Sequence, residues 1–180
     1  MYPIRDHMGR LMALSGRWWD HYNFYDQKKL EALIDVEGFR YITPHKSQFL
    51  WNMHRVYPGR MQGGGDCDPL VVVEGFKACL WVIQAGVTDV VALMGSYLSE
   101  WQARLIERVT NRVILFLDWD KAGRDGSQRA YERLHTSCLV DMVSYPSTDP
   151  TKKLQPDSLD PLETRKVIEE AGPYWNCLLY

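Results

Sequence analysis

Residues 70–126, LVVVEGFKACLWVIQAGVTDVVALMGSYLSEWQARLIERVTNRVILFLDWDKAGRDG, decide the fold. They open with Leu70-Val71-Val72-Val73, which runs into Glu74-Gly75, and near their end Val113-Ile114-Leu115-Phe116-Leu117 runs into Asp118-Trp119-Asp120. Unbroken aliphatic runs bounded by glycine and polar residues are strands buried on both faces, as a parallel sheet requires. A third run, Val90-Val91-Ala92-Leu93, ends in Met94-Gly95-Ser96. The segments between the runs are helical in pattern, so the three strands lie parallel and their terminal motifs share one edge. That carboxyl edge is where open α/β sheets bind ligands. Glu74, Asp118 and Asp120 meet there as oxygen donors of the kind a hard divalent cation takes.

Working outward, strands are expected at 70–74, 88–93, 112–118 and 138–144, and helices at 76–84, 99–110, 125–135 and 160–171. Gly86 stands where a helix C-cap belongs, and Ser99 with Gln102 reads as a capping box. Upstream, residues 2–20 read as a hairpin turning at Asp6-His7-Met8-Gly9. A short helix at 27–35, a strand at 39–42 and a helix at 46–56 ended by Pro58-Gly59 follow. The glycine run Gly63-Gly64-Gly65 marks a linker. The expected organisation is a small α+β subdomain at 1–61, a linker at 62–69, an α/β domain at 70–150 and a helical tail at 151–180. Its class is a Rossmann-like parallel sheet flanked by helices. Trp51, Trp81 and Trp101 lie in helical patterns and read as core, and His45 and His54 read as surface residues without metal spacing.

The chain has 180 residues, of which 46% are hydrophobic and 12% aromatic, so it can fill a core and is not disordered throughout. No apolar run approaches the roughly 20 residues that span a bilayer, and the charged start MYPIRDHMGR is no signal peptide. The expectation is a cytoplasmic protein without membrane contact. Cys67, Cys79, Cys138 and Cys177 are scattered without a CxxC pair, which argues against zinc and leaves Cys79 and Cys138 as small core residues. Net charge is −2. Residues 1–60 carry nine Lys/Arg against six Asp/Glu, and residues 61–180 twelve against seventeen. A basic first third beside an acidic remainder suits a nucleic-acid face next to a metal site.

Alternation at an extended strand end puts Asp118 and Asp120 on one side and Trp119 on the other. The pair can share Mg²⁺; the competing reading is a solvated turn. Glu74 alone would pass as a helix N-terminal charge, and its weight comes from register, because it ends the first strand at the same edge. Gly75 permits close backbone approach by a phosphate. Gly95-Ser96 either seats a phosphate on backbone N–H groups or is a plain β–α turn.

In their order, Glu74-Gly75, Ala85-Gly86, Gly95-Ser96 and Asp118-x-Asp120-x-Ala122-Gly123-Arg124 resemble the TOPRIM domain of bacterial-type DNA primases, type IA and II topoisomerases and small nucleases. Val72-Val73-Glu74-Gly75 and the Asp118–Arg124 segment are most similar to the primase version. Pro3-Ile4-Arg5-Asp6-x-x-Gly9-Arg10, Gly16-Arg17, Arg40-Tyr41-Ile42-Thr43 and Lys46-x-x-x-Leu50-Trp51 also resemble segments of the primase core. So does Tyr145-Pro146 through Asp149-Pro150. The resemblance implies a nucleotidyltransferase core making short RNA primers on single-stranded DNA. Glu74, Asp118 and Asp120, with Asp149, would hold Mg²⁺ or Mn²⁺. Glu74 would serve as general base or as ligand, a choice the sequence leaves open. Arg17, Arg40, Tyr41, Lys46, Gly75, Gly95, Ser96, Lys121 and Arg124 would contact nucleotide or nucleic acid. Implied partners are template DNA, ribonucleoside triphosphates, and a replicative helicase or separate zinc-binding module.

Three positions depart from the family pattern: Lys77 and Thr151 stand where acids are common, and Trp119 where glycine is usual. The sequence spans only the polymerase core of a primase, which suggests a minimal core, a fragment or a diverged phage-like member. The rival readings are a TOPRIM nuclease and a catalytically weak nucleic-acid-binding protein. A haloacid-dehalogenase-like phosphatase is set aside, because its DxD normally ends the first strand rather than the third.

Overall fold

The computed structural model describes residues 2–15, 46–62, 68–146 and 154–173. Strands β1 (Tyr2–Arg5) and β2 (Leu11–Ser15) form an antiparallel hairpin. Its turn is held by Asp6, which accepts from the backbone N–H groups of Met8 and Arg10. A 3-10 turn, Lys46–Gln48, and helix α1 (Met53–Gln62) lead to the main sheet. There β3 (Leu70–Val73), α2 (Phe76–Gln84), β4 (Val90–Ala92), α3 (Glu100–Glu107), β5 (Arg112–Leu115), α4 (Lys121–Leu134) and β6 (Leu139–Met142) alternate. A second 3-10 turn (Pro156–Ser158), α5 (Pro161–Glu169) and a two-residue strand β7 (Gly172–Pro173) complete the described chain.

The sheet order is β4-β3-β5-β6-β7, parallel except for β7. Because β3 is followed by β4 on one side and neighbours β5 on the other, strand order reverses between β3 and β5, which opens a crevice at their carboxyl ends. The strands sort their side chains by alternation. Leu70, Val72, Val113 and Leu115 pack with α1, α3 and α4, whereas Val71, Val73, Ile114 and Phe116 pack with α2 and α5. Both faces are covered, which is why these strands read as unbroken hydrophobic runs.

Helix ends follow the sequence where capping chemistry is explicit. Ser99 and Gln102 form the reciprocal capping box of α3. Gly86 takes φ +93° after α2, and the N–H groups of Gly86 and Val87 return to the carbonyls of Ile83 and Val82, a Schellman closure. Two expectations fail. The helix expected at 46–56 begins instead at Met53 and continues through Pro58, which lies inside α1. Pro58 removes one helical donor, but the helix is pinned beyond it by Arg60, whose buried guanidinium donates to the Asp68 carbonyl and pairs with Asp89 at 2.8 Å. The helix expected at 125–135 starts at Lys121, directly after Asp120. The helix at 27–35 and the strand at 39–42 lie outside the described residues.

The segment before α1 is bound into the sheet. Trp51 bridges Ala92 through both backbone groups, and the side-chain amide of Asn52, at φ +71°, donates to the Val90 carbonyl. At the other edge β7 presents Pro173. Gln102 is fully buried in α3 and donates to the carbonyls of Phe49 and Leu93 at 2.7 and 2.9 Å. Replacing it by alanine strands both acceptors without water, at a cost of about 2–3 kcal/mol. The expected outcome for Gln102→Ala is a lower denaturation midpoint with unchanged slope, measured by urea unfolding.

Candidate metal and nucleotide site

Glu74 follows β3 and Asp118 follows the extension of β5, so the switch-point crevice sets them side by side. The Asp118 backbone N–H donates to Glu74 Oε1 at 3.3 Å. Together with Gly75, Lys77, Met94, Gly95, Gln155 and Asp157, they line a cleft of about 330 Å³. Burial first, and then the neighbouring charge of Asp118, push the Glu74 carboxyl up to about 7. Burial and then Asp120 and Asp157 push Asp118 up to about 6. Like charges in a half-buried crevice favour keeping a proton, the condition a bound divalent cation reverses.

Asp120 has a second duty. It is the N-cap of α4, accepting from the Gly123 N–H at 2.9 Å through one carboxylate oxygen. Among the described residues no group of three His, Cys, Asp or Glu side chains is gathered as a ready metal cage. Glu74 and Asp118 form the central pair, and Asp120 sits close enough to raise the proton affinity of both. This hard, anionic oxygen set suits Mg²⁺ or Mn²⁺.

Glycines make the approach possible. A Cβ on Gly123 would lie 2.0 Å from the Asp118 carbonyl oxygen and 2.9 Å from Glu74 Oε1. One on Gly126 would lie 2.3 Å from the Ser96 carbonyl oxygen. Helix α4 therefore rests its backbone directly on the loops that follow β4 and β5. At Gly75, by contrast, a Cβ would meet nothing within 4 Å, so the bare backbone there faces open cleft.

The other expected residues divide. Gly95 lines the cleft, but its N–H donates to the Glu74 carbonyl and is not free to seat a phosphate. Ser96 is exposed, with its backbone carbonyl set against Gly126 of α4. Lys121 is exposed in the first turn of α4. Arg124 lies over the Trp119 ring at 5.2 Å. Lys46 is exposed in its 3-10 turn and is absent from the cleft lining. Arg17, Arg40, Tyr41 and Asp149 lie outside the described residues. Sequence reasoning missed Asp157, half-buried and ion-paired with Lys77 at the cleft. It also missed Tyr145, whose hydroxyl donates to the Leu117 carbonyl at 3.0 Å. Burial and the carboxylates push that phenol up, so it stays neutral. Asp157 belongs to no motif, and Tyr145 was read only as part of the Tyr145-Pro146 segment; the fold sets both beside the acids.

Residues 71–154 match the Toprim-like family model. These residues form a Toprim-like α/β domain that carries both switch-point carboxylates. Its relatives are DNA primases. The Pseudomonas aeruginosa enzyme is 31% identical over 180 residues, covering 96% of this chain and 25% of that protein. The Haemophilus influenzae enzyme is 34% identical over 132 residues, covering 73% of this chain and 20% of that protein. The chain thus spans a quarter or less of these relatives. In fold it matches a DnaG catalytic core with a TM-score of 0.69 at 24% identity, over 96% of this chain and 52% of that one. It also matches an Aquifex aeolicus primase comprising zinc-binding and RNA polymerase domains, with a TM-score of 0.69 at 23% identity, over 94% and 39%. A DnaG catalytic domain solved bound to single-stranded DNA matches with a TM-score of 0.66 at 23% identity, over 96% and 51%. Over residues 71–154 the chain carries a Toprim-like domain, and it is similar to the catalytic cores of DNA primases.

The raised carboxyls make a prediction for the metal-free protein. Their proton affinity is higher folded than unfolded, where values near 4.5 and 3.8 apply. The stabilisation from holding those protons is complete below the unfolded values and disappears as pH rises through about 6 to 7. The melting temperature should fall between about pH 5 and pH 8. Asp118→Asn should flatten that fall, as should millimolar Mg²⁺ at the alkaline end. A fall of the same size in Asp118→Asn would contradict the assignment.

Proposed function

We propose that the chain is the catalytic core of a metal-dependent primase, joining ribonucleotides on a single-stranded DNA template. The observation that carries this reading is the convergence of Glu74 and Asp118 at the switch-point crevice of a primase-type Toprim core. In this reading the growing strand's 3′-hydroxyl forms a bond to the α-phosphorus of a nucleoside triphosphate. The bond to the β-phosphate bridge breaks, and pyrophosphate leaves.

Glu74, Asp118 and the outward oxygen of Asp120 would hold Mg²⁺ or Mn²⁺, with Asp149 a further donor. The cation supplies charge neutralisation to the triphosphate. Around it, the residues have separable duties. Glu74, with its raised proton affinity, accepts the hydroxyl proton or ligates the cation. The bare backbone at Gly75 lets the phosphates approach the cleft floor. Lys121 and Arg124, in the first turn of α4, attract the polyphosphate. Arg17, Arg40, Tyr41 and Lys46 serve the template or incoming base, and Ser96 holds the loop beside α4 in place. A separate zinc-binding module, such as the domain in the Aquifex aeolicus primase structure, and a replicative helicase are the further partners of this reading.

The test is incorporation of labelled ribonucleotide on single-stranded DNA with Mg²⁺ or Mn²⁺. Asp118→Ala should lose 100-fold or more of the product formed by the unaltered chain, on the order expected when a charge-neutralising group is removed. Comparable product from both proteins would exclude this site. Metal-dependent shortening of the template, with no new strand, would instead identify a nuclease.

A further inference from the structure

Trp101 was expected in the core, yet its side chain is 61% exposed. Helix α3 buries Gln102, Ala103 and Ile106 instead, which turns Trp101, Arg104 and Arg108 outward together. A groove of about 370 Å³ runs between this face of α3 and the β1–β2 hairpin. Its lining includes Trp101, Arg104, Arg108, Arg10 and His7, and Asp6 is the only acid among the described lining residues. No lining residue is shared with the Glu74–Asp118 cleft.

The charge has a definite arrangement. The Arg104 guanidinium lies 5.7 Å from the Trp101 ring centre and shares an exposed pair with Glu100. Arg108 is one helical turn further on and has no acidic partner among the described residues. Arg10 pairs with the buried Asp6 while its own side chain stays 77% exposed. In a chain of net charge −2, three arginines and an open indole on one groove are locally anomalous. Exposed pairs like Arg104–Glu100 stabilise a fold little, and a bare tryptophan gains nothing from water.

We infer that this groove is a binding track for single-stranded nucleic acid, with a base stacked on Trp101 and successive phosphates on Arg104 and Arg108. A strand alternates planar apolar faces with regularly spaced anions, and the groove offers the complementary series. Two arginines one turn apart follow each other along the groove, which a single free nucleotide would leave half used. The track is separate from the catalytic cleft, so it adds a second point of attachment to the activity proposed above and rests on that reading only for its purpose.

The experiment is fluorescence anisotropy of a labelled oligothymidylate with the full chain, over a salt series. The variants are Trp101→Ala and the doubly reversed Arg104→Glu/Arg108→Glu, with thermal melts confirming that both fold. Loss of a stacked base should weaken binding by roughly 10-fold. Charge reversal should weaken it further and reduce the salt slope by about two phosphate contacts. Arg165→Ala, on α5 and outside the groove lining, should bind normally. Unchanged affinity in both groove variants, or no binding by the unaltered chain, overturns the track. So does displacement by free thymidine monophosphate at concentrations matching the oligonucleotide. Primer synthesis without groove-dependent binding would sink this inference alone; groove-dependent binding without synthesis would sink only the catalytic reading.

Discussion

The structure depends on holding two carboxylates, Glu74 and Asp118, closer together and drier than they would choose. Like charges in a half-buried crevice repel, and their proton affinities rise accordingly. The fold must supply what keeps them there. It does so with the sheet, whose β3 and β5 are hydrogen-bonded neighbours with Leu70 opposite Val113 and Val72 opposite Leu115. Both strands are sealed by helices on each face, so their ends cannot splay without exposing the core. The crevice is thus a by-product of strand order, and the acids are residues that order happens to place at its rim.

Helix α4 completes the arrangement. Asp120 starts the helix, and Gly123 lets its first turn lie on the Asp118 carbonyl and the Glu74 carboxylate. The same few residues therefore set the helix, pack it and present the third acid. Gly126 repeats the device one turn later against Ser96, so the loops after β4 and β5 are both referenced to one rigid rod. Lys77 adds a counter-charge through Asp157, and the mouth of the cleft is neither uniformly acidic nor open.

Much of this was legible in the sequence, for identifiable reasons. Strands buried on both faces leave unbroken aliphatic runs, so β3, β4 and β5 and the edge they share could be read directly. Explicit capping residues, Ser99 with Gln102 and Gly86, fixed helix ends. The failures share a cause: a residue's local meaning was replaced by a tertiary one. Gly123 stood ahead of the helix expected at 125–135, but it and Gly126 are glycines because backbone must touch backbone, and α4 begins ahead of both. Pro58 looked like a stop, but distant Asp89 anchors the helix past it through Arg60. Trp101 looked like core because it is large and apolar. The polar Gln102 holds the inward position instead, since the Phe49 and Leu93 carbonyls need its amide. Gly95-Ser96 could be read as a phosphate seat or as a plain β–α turn, and the Gly95 N–H is engaged by the Glu74 carbonyl. Lys77–Asp157 had no signal at all, because the partners lie eighty positions apart.

The two ends of the sheet carry a consequence for how copies of this chain behave together. An exposed strand edge is a template on which another chain can add a strand. Here the outward groups of Ala92 on β4 are engaged by Trp51, and the Val90 carbonyl by Asn52. At the far side β7 is two residues long and contains Pro173, which has no N–H to offer. Sheet-to-sheet polymerisation is blocked at both margins by features whose first role is to anchor flanking segments. Copies of this chain can therefore crowd one another without fusing edge to edge.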